Sequence, residues 1–181
     1  IQALGKQVNE ERLDQLVANY TDRDTNLITG LSWAIFYAAR RGISTEAGTQ
    51  RAVALAAPTQ PKEVRYPALA YLGRYAGQLD SVEAKPLLEQ LGTEENSDLR
   101  LLLAVAVGKV ASMGSCQILL IQLAREKDWR VRTNIIRALG RCPYPKVKDA
   151  ILAALNDGHE LVAETAAATL VAKGVPDDAT L

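Results

Sequence analysis

The side chains best suited to chemistry in this sequence are one histidine and two cysteines. His159 lies in a polar segment, and a histidine that acts as a catalytic base needs a nucleophile and an orienting partner. As a zinc ligand, it would need further ligands at a defined spacing. The sequence contains no HExxH, CxxC or glycine-rich phosphate-binding motif. We therefore predict no catalytic residue, no metal site and no cofactor, and interpret His159 as a solvated turn residue.

Cys116 and Cys142 lie at the predicted start of one helix and the predicted end of the next. An antiparallel hairpin brings these ends together, so the cysteines could form a structural disulfide of the kind found in oxidising compartments. The alternative is a pair of buried thiols that pack as small hydrophobic side chains. A disulfide requires the two Cα atoms to lie within about 7 Å. A count of free thiols on denatured, unreduced protein distinguishes the two.

The bulk composition narrows the fold and the partners. Of the 181 residues, 48% are hydrophobic and only 5% are aromatic. A core made mostly of Leu, Val, Ile and Ala favours packed helices over a β-sandwich. The net formal charge is zero, whereas proteins that hold nucleic acid by its phosphates usually carry a basic excess. We therefore predict no nucleic-acid partner. No apolar run approaches the roughly 18–20 residues that a membrane-spanning helix needs.

The sequence repeats itself, and such repeats determine the architecture. Gly73, Gly108 and Gly140 are 35 and 32 residues apart, and each follows an arginine by eight positions. A second series with a spacing of 32 consists of Leu91, Leu123 and Leu155. Each period is typical of a helix, a short turn and a second helix. We therefore predict an all-α fold, an α-α superhelix of about five antiparallel helix pairs that bury their apolar faces against their neighbours.

Five units are predicted within a single domain spanning residues 1–181, at 10–41, 44–76, 81–113, 115–141 and 146–173. Gly114 and Gly174 suit helix ends, where a left-handed residue is often needed. Pro67 is expected to kink or delay its helix, because it removes one hydrogen bond. Four residues have side-chain oxygens that could cap helix N-termini, namely Ser81, Ser97, Ser115 and Asp128.

Two further series of charged residues follow the same period. An aliphatic residue precedes arginine early in three second helices, at Arg65, Arg100 and Arg132. An acidic residue recurs in the turns, at Glu94, Glu126 and Asp157. With the segments 85–91 and 128–140, this pattern resembles the HEAT-repeat family over residues 10–174. The resemblance implies an α-solenoid with an acid–arginine ladder, interrupted where Thr59 replaces the acid and Ala163 replaces the arginine.

Residues 128–174 also resemble the HEAT-repeat region of large bacterial cyclophilin-type peptidyl-prolyl isomerases. In that family the isomerase activity resides in a separate β-barrel domain, and nothing in this sequence matches that barrel. The resemblance implies an accessory region that assists folding. The chain begins at Ile1, and residues 176–181 read as a trailing end, so we expect a processed or truncated piece of a longer protein. The missing Met and the resemblance point towards an exported, periplasmic location.

The leading functional hypothesis is a non-catalytic scaffold for a protein or peptide partner, because solenoids present extended concave surfaces. Leu102 and Val105 lie in a helix that is apolar almost all round, which is either buried or lines an apolar groove. Trp129 is either an interface anchor or a packing residue against the adjacent unit. The candidate groove residues are Leu102, Val105, Arg137 and Trp129. The alternatives are the isomerase accessory region and a nucleic-acid-binding solenoid, which the zero net charge disfavours.

A polar stripe at helical spacing runs through Arg130, Asn134, Arg137 and Arg141. The positions aligned with Arg137 in the other units are Ile35, Ala70, Val105 and Ala168. We therefore predict that the stripe belongs to one unit and is a solvated face. The last helix, residues 160–173, shows no obvious polar outer face, which predicts packing on downstream sequence or self-association with a second copy.

Overall fold

The polypeptide folds into helices of 10–16 residues joined by short turns. The computed structural model describes residues 8–20, 24–110 and 112–174, and the trailing end predicted at 176–181 lies outside them. Within the described residues the helices are α1 Glu10–Asn19, α2 Thr25–Arg40, α3 Glu46–Leu55, α4 Lys62–Tyr75, α5 Ser81–Thr93, α6 Ser97–Val110, α7 Met113–Arg125, α8 Trp129–Leu139, α9 Tyr144–Ala154 and α10 Glu160–Ala172. A 3₁₀ turn, Ala76–Gln78, follows α4.

Successive helices pack as pairs, from α1 with α2 to α9 with α10. The second helices of neighbouring pairs make the main contacts between units, in the order α2, α4, α6, α8 and α10. The first helices stack beside them in the same order. This helical stack confirms the predicted α-solenoid, in which each unit buries its apolar faces against its neighbours.

The core is aliphatic and follows the second helices. In α8, apolar residues at helical spacing are fully buried, among them Val131, Ile135 and Leu139. Tyr71 is the largest fully buried side chain. Burial raises its pKa, and its hydroxyl lies 2.7 Å from the Thr49 hydroxyl. That hydrogen bond satisfies a polar atom that would otherwise be costly to bury.

Two glycines mark the places where the second helices approach most closely. A Cβ atom on Gly108 would lie 2.4 Å from the Cβ of Ala138 and 3.1 Å from its Cα. A Cβ atom on Gly73 would lie 3.1 Å from the Val105 Cγ1. A glycine in a helix costs about 1 kcal/mol relative to alanine. The close packing that it permits between α4, α6 and α8 offsets this cost.

Three helices begin earlier than the predicted caps imply, because their N-caps lie one to three residues before the predicted ones. The N-caps of α5, α6 and α7 are Asp80, Asn96 and Ser112 in place of Ser81, Ser97 and Ser115. In each case a side-chain oxygen earlier in the chain accepts hydrogen bonds from the first free N–H groups, so the later serine is not needed for this purpose. Asp128 caps α8 as predicted.

Two expectations about helix-disrupting residues differ from the structure. Gly114 lies inside α7, so the third and fourth units meet before Met113. Helix α4 continues through Pro67, because the carbonyl that loses its hydrogen bond belongs to Glu63, an exposed residue in the first turn. Gly174 follows α10 with a φ of 70°, the left-handed conformation expected of a glycine at a helix end.

Candidate binding face

The units are joined by arginine–carboxylate pairs between consecutive turns. Arg100 pairs with Glu126 at Nε–Oε2 2.7 Å and Nη2–Oε1 2.9 Å. Arg132 pairs with Asp157 in the same two-pronged way, with both distances at 2.8 Å. One unit earlier in the chain, Arg65 donates in the same sense to Glu94 of the unit that follows it. Each arginine therefore binds the acid of the following unit, so the ladder couples neighbours.

The same arginines also hold their own turns. Arg100 Nη1 donates to the carbonyl oxygens of Glu94 and Glu95, at 3.0 and 2.9 Å. The Glu126 carboxylate accepts hydrogen bonds from the backbone N–H groups of Lys127 and Asp128, both at 3.0 Å. Each rung therefore joins the turn of one unit to the turn of the next.

Electrostatics keep these carboxylates charged. Burial by itself would raise the pKa of Glu126, but the hydrogen bonds from Arg100, the backbone and Gln122 outweigh burial and lower it. The hydrogen bond from Arg132 lowers the pKa of Asp157 despite partial burial. A carboxylate with a depressed pKa and a full set of donors is a poor proton acceptor at neutral pH. The ladder is therefore structural, and it fixes the positions of the second helices.

The second helices leave one stripe open to solvent. Neighbouring second helices and the first helices cover the other sides of α4, α6 and α8. The stripe continues onto α10, and we call this surface the second-helix face. Its positions are 62, 66, 70 and 74 on α4; 98, 102, 105 and 109 on α6; 130, 134, 137 and 141 on and just after α8; and 161, 164, 168 and 172 on α10.

A chain of ion pairs fixes the alignment of the helices across this face. Lys62 Nζ lies 3.1 Å from Asp98 Oδ2, and Arg130 Nη1 lies 3.1 Å from Asp98 Oδ1. Arg130 also pairs with Asp128 at 2.7 Å, and this hydrogen bond lowers the pKa of Asp128 to about 2. The first turns of α4, α6 and α8 therefore lie side by side, and their charges neutralise one another.

The structure brings three of the four predicted groove residues to this face. Leu102 and Val105 are half-buried on α6, and Arg137 is exposed on the adjacent α8. Trp129 points elsewhere. It is 37% exposed, and its ring stacks on His159 with centroids 4.1 Å apart and planes 9° apart. Trp129 thus contacts the turn before α10, while the other three residues remain candidates for binding.

The far end of the face carries cations that the structure leaves without a carboxylate. Arg74, Arg137 and Arg141 are exposed and Lys109 is half-buried, and none of them forms an ion pair within the described residues. Alignment on Arg137 alone missed Lys109. The signal was present in the sequence, because Lys109 and Arg141 are 32 residues apart, the spacing of the repeat itself.

A shallow groove between α8 and α10 adjoins these cations. Arg137 and Arg141 line one side, and Leu161 and Ala168 line the other. Glu164 lines the same groove without an ion pair in the described residues. The groove is open and is lined by both polar and apolar residues. Such a surface suits a polypeptide lying across it better than a small molecule, which needs an enclosed pocket.

The comparisons with known proteins agree with this geometry. Residues 117–181 match a family model described as HEAT repeats. Residues 117–181 are thus similar to HEAT repeats. The HEAT fold commonly mediates protein–protein interactions and is generally non-catalytic. No curated protein matches the chain, so the narrower resemblance to cyclophilin-type isomerases stays a prediction.

A disulfide bond cross-links the two helices of the fourth unit. Cys116 and Cys142 are bonded, with Cα atoms 5.8 Å apart, and both are buried. Cys116 lies in the first turn of α7 and Cys142 just beyond the end of α8. The bond therefore closes the open end of the helix hairpin whose second helix carries Arg137.

Aromatic side chains cluster on the first unit. Trp33, Phe36 and Tyr37 lie within one turn of α2, with ring centroids 5.5 to 5.7 Å apart. All three are half-buried. Tyr66, on the next second helix, is 41% exposed. Exposed and half-buried aromatic side chains are thus concentrated in the first two units, whereas the unpaired cations lie towards the later ones.

His159 has no catalytic or metal-binding setting among the described residues. Its backbone N–H donates to Asp157, its ring stacks on Trp129, and its Nδ1 atom is buried without a hydrogen-bond partner. No group of three or more His, Cys, Asp or Glu residues in the described chain could hold a metal ion. Among the helices that the structure describes, none is both long enough and apolar enough to cross a membrane.

Proposed function

We propose that residues 1–181 act as one HEAT-repeat domain, a non-catalytic scaffold that binds a protein partner along the second-helix face. The observation that carries this proposal is the continuity of the face. It runs over neighbouring helices in fixed alignment and combines half-exposed apolar groups with unpaired cations. Interfaces typically combine such apolar anchors with a polar rim.

The apolar part of the face supports this proposal. Tyr66 is 41% exposed, and Leu102 and Val105 beside it are only half-buried. Aromatic residues that are partly exposed on a rigid surface are common anchors in protein interfaces. The ladder joins the turns from which α4 and α6 extend, so little conformational freedom of these helices would be lost on binding.

Site-specific photocrosslinking in the source organism tests this proposal. A photoreactive amino acid replaces Tyr66 on the second-helix face. In the matched control it replaces Val82, which is 76% exposed on the first helix α5. We expect cross-linked protein adducts from position 66 and few from position 82, read by mass spectrometry.

Exposure alone would make position 82 the more reactive of the two, so the comparison is biased against the proposal. Adducts from position 82 alone, or equal adducts from both, would place binding away from the second-helix face. If neither position gives an adduct, the scaffold function itself would be contradicted.

A further inference from the structure

We infer that the partner presents an extended acidic segment, held by the cations Lys109, Arg137 and Arg141 at the last turns of α6 and α8. This inference rests on the proposed function and specifies the chemistry of the partner. Its basis is a contrast within one face: at one end the charges neutralise one another, whereas at the other end the cations have no carboxylate partner in the described residues.

The cations lie close together across neighbouring helices. Arg141 Nη1 is 3.7 Å from the position that a Cβ on Gly108 would occupy, so the guanidinium reaches α6 next to Lys109. Arg137 lies one turn earlier on α8 and lines the groove towards α10. Arg74 adds a further exposed cation at the end of α4. Arginine is well suited to this role, because its planar fork binds carboxylates with two parallel hydrogen bonds.

The acidic groups of this face do not cancel these cations. Asp98 already accepts from Lys62 and Arg130. Glu164 faces the groove from α10, without an ion pair in the described residues. Three cations against one free carboxylate leave a local positive excess, although the chain as a whole has a net charge of zero.

The spacing of the helices predicts the spacing of the acids. Packed helices lie about 8–10 Å apart, and an extended chain advances about 3.3 Å per residue. An extended segment that crosses α6, α8 and α10 therefore meets a new helix about every third residue. One carboxylate would reach Lys109 on α6, and a second, about three residues further along, would reach Arg137 and Arg141, which share α8. The residues between them would contact apolar groups of the same face, such as Val105.

The size of the cationic patch favours a peptide over a nucleic acid. A protein that holds DNA by its phosphates commonly makes about 6–10 phosphate contacts, and the described part of this face offers four unpaired cations. The groove beside them is lined in part by the aliphatic residues Leu161, Ala168 and Ala172. A cation near a helix C-terminus also interacts favourably with the helix dipole, so stability and binding must be measured separately.

Selection from a random peptide library of about twelve residues, displayed on phage, provides the test. The chain is compared with R137E/R141E and with K146E/K148E, which makes the same change in net charge on exposed lysines of the first helix α9. Circular dichroism establishes that each variant is folded. We expect the wild type and K146E/K148E to enrich peptides that carry two acidic residues about three positions apart, and R137E/R141E to lose that enrichment.

An enriched peptide is then measured by fluorescence anisotropy against its Asn/Gln analogue. We expect R137E/R141E to weaken binding of the acidic peptide by about tenfold or more, and K146E/K148E to leave it nearly unchanged. If R137E/R141E is misfolded, R137Q/R141Q replaces it, with the same expected direction.

Three results would overturn the inference. One is enrichment without acidic residues, and another is equal enrichment by R137E/R141E. The third is a single-stranded oligonucleotide that binds more tightly than the selected peptides. If the inference fails while position 66 still cross-links to a protein, the scaffold stands and only the partner chemistry is wrong. If cross-linking also fails, the proposed function fails with it.

Discussion

Single residues couple neighbouring units through bidentate hydrogen bonds. The Glu126 side chain is only 1% exposed and that of Arg100 16%, so water cannot replace either partner easily. Removal of one member of such a pair leaves a buried charge, which costs far more than the pair itself contributes. The ladder is therefore sensitive to truncation even though its pairs need not dominate the overall stability.

Substitution of Arg100 by alanine tests this coupling. We expect R100A to lower the free energy of unfolding by about 3 kcal/mol, because Glu126 keeps only its backbone and Gln122 donors. K85A removes an exposed pair with Glu89 and should cost less than about 0.5 kcal/mol. Urea unfolding of both variants gives the comparison, and equal midpoints would contradict a structural ladder.

The depressed pKa values of the turn carboxylates predict acid sensitivity. Asp128 has a pKa of about 2 in the folded chain against an ordinary value of 3.8. The unfolded chain therefore binds more protons, and the stabilisation is complete above 3.8 and lost as the pH falls towards 2. We expect the urea midpoint to fall through this window.

D128N supplies the control for this pH dependence. Asparagine can still cap α8, but it carries no charge to pair with Arg130. The variant should be less stable at neutral pH and should lose less stability between pH 3.8 and about 2 than the wild type. The same decline in both proteins would show that Asp128 does not contribute to the effect.

At the scale of elements, the second helices pack closely because glycine is present where they cross. Gly108 faces Ala138, and both the side chain and the backbone of α8 stand in the way of an added Cβ. Gly114 also lies in a helix, but a Cβ there would meet only side-chain atoms at 3.8 Å. Both glycines thus have a helical backbone, but only Gly114 has room for a Cβ atom.

Alanine substitutions at these two glycines should have opposite signs. We expect G108A to be destabilising by about 1–3 kcal/mol, since overpacking exceeds the gain in helix propensity. G114A should be neutral or stabilising by up to about 1 kcal/mol. Thermal unfolding measures both. A stabilised G108A would show that α6 and α8 can separate without loss, and the close-packing argument would be wrong.

At the scale of the whole molecule, a solenoid distributes its stability over its units. A covalent cross-link within one unit therefore contributes to the stability of the fold. The disulfide closes a separation of 26 residues in the fourth unit. A loop of this size restricts the unfolded chain and stabilises the fold by about 3 kcal/mol in the chain-entropy model. The unit it closes also carries Arg137 and Arg141.

Removal of the disulfide should therefore lower the stability of the protein. We expect no free thiol in the denatured, unreduced protein, and a C116A/C142A variant that unfolds at a lower temperature. Because both cysteines are buried and contribute no exposed group to the second-helix face, binding of an acidic peptide to the folded variant should change little. Two free thiols in the unreduced protein would show that the cysteines are separate buried groups.

The sequence by itself determined the architecture of this protein. Its repeat spacing, its aliphatic faces and the recurrence of Arg65, Arg100 and Arg132 are local patterns, and stacking of similar units is the way to bury them. The acids of the ladder were also visible as a periodic series. The caps were less predictable, because neighbouring residues such as Asp80 and Ser81 can both accept the same hydrogen bonds.

Only the tertiary structure decided which charges pair and which do not. Arg130 and Arg137 belong to one helical stripe in the sequence, yet Arg130 meets Asp98 and Arg137 meets no carboxylate in the described residues. Trp129 likewise turned to His159 and away from the groove. The physical reason is that pairing depends on the offset between stacked helices, which close contacts such as that of Gly108 with Ala138 set over 30 residues of chain.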